Sequence, residues 1–248
     1  TGYTGQWNPT GNAGNVWVGT NTPTSRFEIW NHNSGSVLMH YRGLNNIGIG
    51  SGSVRPQQTG SANSGFWHES LYTLTTGFSN TAMGYKSMRY TTIWQNNSAV
   101  WQESLHWNNQ GSWNSALWYQ SIYNNTSGTW NVGLGAQAIY NNTLWANNIG
   151  IGYSALRGIS GSSTSNNIAI GLNTLSGATG NNNVSIGAEA GTNHQGWNNN
   201  ITLWYNAEVW SPTGSDQLSI GNWIYGSGGT IGIGTSSLGT AAKFKVAG

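Results

Sequence analysis

Cysteine is absent, which excludes a disulfide framework and thiolate metal sites alike. Charge is nearly absent as well: eight Lys+Arg and six Asp+Glu make up 6% of 248 residues, with a formal net charge of +2. Disordered chains of this length usually carry many charges and few aromatics, whereas aromatics reach 12% here. A pI of 8.9 that rests on so few groups is no sign of a nucleic-acid partner, and none is expected. No apolar run approaches the roughly 18 residues of a membrane span. The residues from Thr1 onward lack a charged-then-apolar leader, so a soluble chain without membrane insertion is expected. Proline is held to four; glycine reaches 37 but without the Gly-X-Y period of collagen. What is abundant, besides glycine and asparagine, is tryptophan, with 15 residues.

The sequence is a ruler with a 17-residue step. Asn46 opens a unit that returns at Asn63, Asn80, Asn97, Asn114, Asn131 and Asn148. Further starts at Asn167, Asn183, Asn200 and Gln217 give steps of 19, 16, 17 and 17. The third position is always small, from Gly48 through Ala116 to Ser219, and the fourth always large and apolar, from Ile49 through Leu117 to Ile220. A second apolar column stands at the ninth position (Val54, Leu71, Met88, Leu105, Ile122, Ile139, Leu156, Leu175), behind Ser or Ala in most copies. The remaining residues have the composition of turns.

Segments this short cannot be helices. Each unit reads as one coil of a parallel β-solenoid, two brief strands joined by turns. Each strand is expected to send one side chain inward, so that the fourth and ninth columns build the apolar interior. Eleven coils at a strand spacing of about 4.8 Å make a rod of roughly 50 Å. So thin a coil buries few large side chains, and association with further copies is expected. The chain divides into a flanking or capping segment (1–45), the eleven-coil region with an incomplete last coil (46–221) and a second flank (222–248). The first-position asparagines are expected to hydrogen-bond up the stack in register.

Units such as Asn131–Thr143 (NVGLGAQAIYNNT) and Asn167–Leu175 (NIAIGLNTL) resemble the head repeats of trimeric autotransporter adhesins and, more closely, the longer repeats of phage tail fibres and related bacterial surface fibres. The flanks Asn15–Ile29 and Thr230–Val246 look like versions of one segment, similar to modules that often precede intramolecular chaperone domains in fibre proteins. The resemblance covers roughly residues 15–246. It implies an all-β, left-handed parallel β-roll, a homotrimer about one axis, and an extracellular, cell-surface or virion location. The expected function is the structural shaft or head of such a fibre, a rigid spacer that also serves host attachment.

Tryptophan occupies glycine positions. The fifth column holds glycine at 50, 84, 135, 152, 171, 187 and 221, and tryptophan at Trp67, Trp101, Trp118 and Trp204. In the fifteenth column Gly60, Gly77, Gly111, Gly128 and Gly214 alternate with Trp145 and Trp197. Trp107 and Trp210 share the eleventh column with Gly158 and Gly177, and Trp17 stands where the second flank has Gly232. Glycine is chosen for positive φ or close backbone approach, and tryptophan is the bulkiest side chain. Two readings stand. Either the indoles form projecting aromatic ladders that bind sugars, or these codons specify glycine in the native host, as in lineages that decode UGA as glycine.

No enzyme constellation emerges, and no catalytic residue, cofactor or metal site is expected. Glu69 and Glu103 lie two coils apart in one column with Lys86 between them, an arrangement that reads as a surface charge ladder. The histidines (32, 40, 68, 106, 194) lack ligand spacing. Gly-x-Gly pairs such as Gly150 and Gly152 recur in many coils with no following helix, unlike a dinucleotide loop. The tenth column (Arg55, Tyr72, Arg89, His106, Tyr123, Tyr140, Arg157) is expected to point outward. One reading makes it a glycan-contact line and the chain a carbohydrate-recognition module. The other has its long amphipathic side chains cover the roll or pack between chains.

Overall fold

The computed structural model describes residues 16–19, 25–31, 36–42, 45–54, 59–141, 143–144, 146–158, 164–177, 179–192, 196–209, 211, 214–234 and 244–246. Among them there is no helix; the fold is all-β, a parallel β-solenoid. Its spine is a stack of short strands that begins with Asn46–Ile49, Ser64–Phe66 and Thr81–Met83 and ends with Ile201–Leu203 and Gln217–Ile220. Successive strands pair in parallel at one repeat of offset: Ser64 faces Thr81, Thr81 faces Ser98, and Ser115 faces Val132. The longer step holds register too, Ile149 facing Ile168. Backbone bonds run both ways along the rod, Ile47 N–H to the Asn63 carbonyl at 2.8 Å and Trp67 N–H back to the Ile49 carbonyl at 2.7 Å.

The interior differs from the expectation at the fourth column. Alternation along a strand puts positions one and three on one face and two and four on the other. It is the first and third columns that face inward: Asn80, Asn97 and Asn114, and Ala82, Ala99 and Ala116, are fully buried. The fourth column faces out, with Ile49 38%, Met83 46%, Leu117 36% and Ile186 41% exposed. The reason is the width of the coil. Opposite the third column stands the ninth, whose Leu71, Met88, Leu105, Ile122, Ile139, Leu156 and Leu175 are fully buried. These side chains fill the lumen, and a Cβ added at Gly150 would come within 2.7 Å of Ile139 Cγ1. One large residue per coil fits, and the facing position must be small.

The segment that carries the ninth column is a turn stack rather than the second strand expected; among the described residues a second strand forms only at Trp107–Asn108 and Asn124–Asn125. Each apolar ninth residue from Val54 to Leu175 has a left-handed backbone, for example φ 51° at Leu71, 50° at Leu105 and 48° at Ile122. That conformation costs a side-chain-bearing residue about 1–2 kcal/mol. Full burial of a Leu, Ile or Met side chain contributes about 1.5–3 kcal/mol, enough to hold it there.

A carboxamide ladder fixes each coil's position on the last. Asn63 N–H and Nδ2 both donate to Asn46 Oδ1, at 2.8 and 3.1 Å, and Nδ2 also donates to the Gly77 carbonyl at 2.8 Å, closing the Asn63 coil on itself. The pattern repeats at Asn114, which accepts from Asn131 N–H and Nδ2 at 3.0 Å each. At the last rung Gln217 N–H donates to Asn200 Oδ1 at 3.0 Å, while its longer side chain reaches the Ser211 and Gly214 carbonyls.

Antiparallel strands meet both ends of the stack. Ser36–Arg42 pairs with the first rung, and Ile224–Ser227 with the last. The two flanks, similar in sequence, pair differently: Val16–Gly19 runs antiparallel to Ser25–Asn31, whereas Thr230–Ile233 runs parallel to Phe244–Val246.

Replacing Asn114 with Ala removes the buried acceptor of Asn131 N–H and Nδ2 and one of the two donors to the Gly128 carbonyl, so Asn114→Ala is expected to cost about 2–4 kcal/mol in chemical denaturation. Ser98→Ala, on the exposed second column, should change stability by no more than about 0.5 kcal/mol. Equal losses in the two variants would refute the carboxamide ladder as the coil anchor.

Candidate functional site

The tenth column follows the buried ninth residue and therefore emerges at the rim of the lumen rather than on an open face. Arg55 lies outside the described residues. Of the rest, His106 is buried, Tyr72, Arg89, Tyr123 and Tyr140 are half-buried, and Arg157 alone is exposed. The outward ladder expected of this column is thus a mostly covered one. Coil spacing imposes stacking: the rings of His106 and Tyr123 lie 5.0 Å apart and 1° from parallel, and those of Tyr123 and Tyr140 5.0 Å and 3°. The Arg157 guanidinium sits 5.6 Å from the Tyr140 ring, and that of Arg89 5.3 Å from Tyr72. Each ring face is used by its neighbour in the next coil. A sugar ring, which binds to aromatic faces, meets edges here, and the geometry favours the covering role.

Arg89 is the hub of a second cluster. Its Nε lies 2.8 Å from Glu69 Oε2, and its guanidinium 4.8 Å from the Tyr90 ring. Tyr90 stacks on Trp107 at 3.9 Å and meets His106 edge-on at 5.2 Å. The seventh column does not form the expected Glu69–Lys86–Glu103 ladder. Glu69 pairs sideways with Arg89, the ammonium of Lys86 lies 4.7 Å from the Tyr85 ring, and Glu103 accepts from Gln120 Nε2 at 2.9 Å. His68 stacks on Tyr85 at 5.5 Å; among the described residues no three His, Asp or Glu side chains converge as metal ligands. His32 and His194 lie outside the described residues.

The tryptophans separate by geometry. In the fifth column every residue has positive φ: 117° to 144° at Gly50, Gly84, Gly135, Gly152, Gly171 and Gly187, and 95°, 90°, 93° and 113° at Trp67, Trp101, Trp118 and Trp204. Their indoles stand in solvent, Trp67 66% and Trp204 71% exposed, and Trp101 stacks on Trp118 at 5.4 Å. Beside Trp67 an open apolar groove of about 530 Å³ runs between Ile49, Phe66 and Met83. Trp197 lies in the fifteenth column as expected. Trp94, which the column count from Asn80 places there too, was not among the positions singled out from the sequence; its carbonyl accepts from Asn80 Nδ2 at 2.7 Å, as Gly77 does from Asn63. Trp107 departs from the expectation of a glycine position: it sits in a strand, paired with Asn124, with no positive φ. Trp17 lies in the strand Val16–Gly19, and Trp145 and Trp210 are outside the described residues.

Burial holds the pKa of His106 below the usual histidine value, despite the bond between its Nδ1 and the Lys86 carbonyl at 2.9 Å. A base whose folded pKa is depressed contributes stability above its unfolded pKa of about 6.5, and that stability is lost as pH falls through the folded value. Acidification from about pH 7 to 5 should therefore destabilise the chain, and His106→Phe, which retains a ring against Tyr123, should flatten that slope. An NMR titration midpoint for His106 at or above the ordinary value would overturn the assignment.

Comparison with known proteins places no relative beside this solenoid: no protein-family model, no protein of known role and no solved structure matches the chain.

Proposed function

We propose that the chain is the shaft or head of an extracellular, bacterial-surface or phage fibre, assembled as a homotrimer, acting as a rigid spacer that also carries attachment to a host surface. The observation that supports this reading most directly is the outward apolar column. The fourth position is apolar in all eleven coils and points away from the lumen, and the second joins it at Ile47, Val132, Ile149, Ile168, Val184, Ile201 and Leu218. An unbroken apolar strip about 50 Å long, carried by one column in every coil, is a surface for association. Copies of the same rod have the same repeat and offer a matching strip in register. Repetition then stiffens the assembly and multiplies whatever each coil displays.

Light scattering should give a mass near three times the 26.5 kDa of one chain. The double variant Val100→Lys, Leu134→Lys is expected to shift the mass to that of a monomer, because it places charges in the strip without touching the lumen. A native monomer would refute the trimeric fibre. The alternative, a carbohydrate-recognition module with a surface glycan as receptor, draws on the exposed Arg157 and on the groove beside Trp67. A glycan array discriminates: a binder lost upon Arg157→Ala or Trp67→Ala would favour it, and no binder would leave the spacer.

A further inference from the structure

We infer that the functional protein carries glycine at positions 67, 94, 101, 118, 197 and 204, the codons read as tryptophan there being decoded as glycine in the native host. This inference is independent of the fibre reading and rests on two columns with different geometry.

In the fifth column the restriction is conformational and steric together. The left-handed well open to side-chain-bearing residues centres near φ +57°. Residues of the ninth and seventeenth columns fall close to it, for example Leu105 at 50° and Asn147 at 59°. The fifth column instead turns at 90° or more in ten of its eleven coils, territory that belongs to glycine. The stacked coils leave no room for a side chain either. A Cβ at Gly50 would lie 2.6 Å from the Trp67 carbonyl carbon, at Gly84 2.5 Å from that of Trp101, and at Gly135 2.5 Å from the Gly152 oxygen. Those obstacles are backbone atoms of the next coil, held by the ladder, and they cannot swing aside. The four tryptophans have the lowest φ values of the column apart from Gly221 at 59°, the displacement a Cβ would force.

In the fifteenth column φ is ordinary and the obstacle is purely steric. A Cβ at Gly60 would run into the Gly77 carbonyl oxygen, at Gly77 into that of Trp94, and at Gly180 into that of Trp197. Trp94 shows a further sign of misfit: its indole Nε1 is buried without a hydrogen-bond partner, a state native indoles avoid. Trp107 marks the contrast. It sits in a strand with its ring against Tyr90, where an aromatic side chain has contacts to make.

In the fifth column the exchange is confined to two residue types, which points to the code rather than to selection; the fifteenth-column corner also admits Thr164, whose carbonyl accepts from Asn148 Nδ2 in the longer coil. Random substitution at a glycine corner yields alanine, serine, aspartate or arginine as readily as tryptophan, and none of these stands at the fifth position. UGA differs by one base from the glycine codon GGA, and by one from the tryptophan codon UGG. A glycine-charged tRNA that reads UGA would produce this pattern and no other.

The test has a genetic and a physical arm. The gene should carry UGA at all six positions, and peptides of the protein from its native source should contain glycine there; UGG at any of the six, or tryptophan recovered in those peptides, overturns the inference. In the second arm the chain with tryptophan at all six positions is compared with one carrying glycine at all six. The glycine chain should melt at the higher temperature and refold in higher yield, whereas Trp107→Gly alone should lower the melting temperature. Equal or lower stability of the glycine chain would remove the steric basis of the argument.

Discussion

A buried carboxamide that serves two coils at once is the interaction on which the solenoid depends. Asn Oδ1 takes the backbone N–H and the side-chain amide of the next coil, while Nδ2 holds the carbonyl fourteen residues further along its own coil. The first contact sets the translation between coils, and the second closes the loop. Buried amides left unpaired would each cost of the order of 1–3 kcal/mol, so a coil out of register forfeits several such bonds together. The apolar interior follows from that register. With the asparagine corner fixed, one side of the lumen is a strand of small residues and the other a turn whose left-handed corner delivers one large side chain. Both walls are thin, and the whole cross-section holds a single file of Leu, Ile, Met and Val.

Much of this was legible in the sequence, and for an identifiable reason. A period of 17 that returns asparagine, a small residue and an apolar residue at fixed offsets leaves only stacked coils as its explanation. The amide ladder followed from the chemistry of asparagine. The direction of the fourth column did not. Hydrophobicity reports the wish to leave water, not the partner that makes it possible, and Ile49 or Leu117 is as apolar against another chain as against its own core. The small third residue held the missing clue, since Gly150 and Ala116 alternate with the apolar column along the strand, and a narrow lumen selects for small size.

The tenth column shows the same difficulty in reverse. Arg, Tyr and His following a buried residue suit a line of outward contacts as well as a cover for the roll, yet coil spacing matches the distance at which aromatic rings stack. Tyr123 therefore satisfies both faces within the rod. Nothing in the residue types distinguishes rings that wait for a ligand from rings that have found each other. Left-handed turns at Leu71 or Ile139 were equally hidden, because neither residue is a usual occupant of that conformation and only burial sustains it.

The two antiparallel ends bear on how such a rod changes over generations. A parallel stack would otherwise present open edges for further coils. Here Ser36–Arg42 and Ile224–Ser227 close both, and they do so against rungs that differ little from those in the middle. The coil from Asn148 to Asn166 also accommodates two extra residues while Asn167 N–H still reaches Asn148 Oδ1 at 3.0 Å. Duplication or loss of a segment of one repeat would thus lengthen or shorten the molecule by about 4.8 Å and leave its terminal surfaces as they were. Reach is inherited in whole steps, separately from whatever the ends attach to.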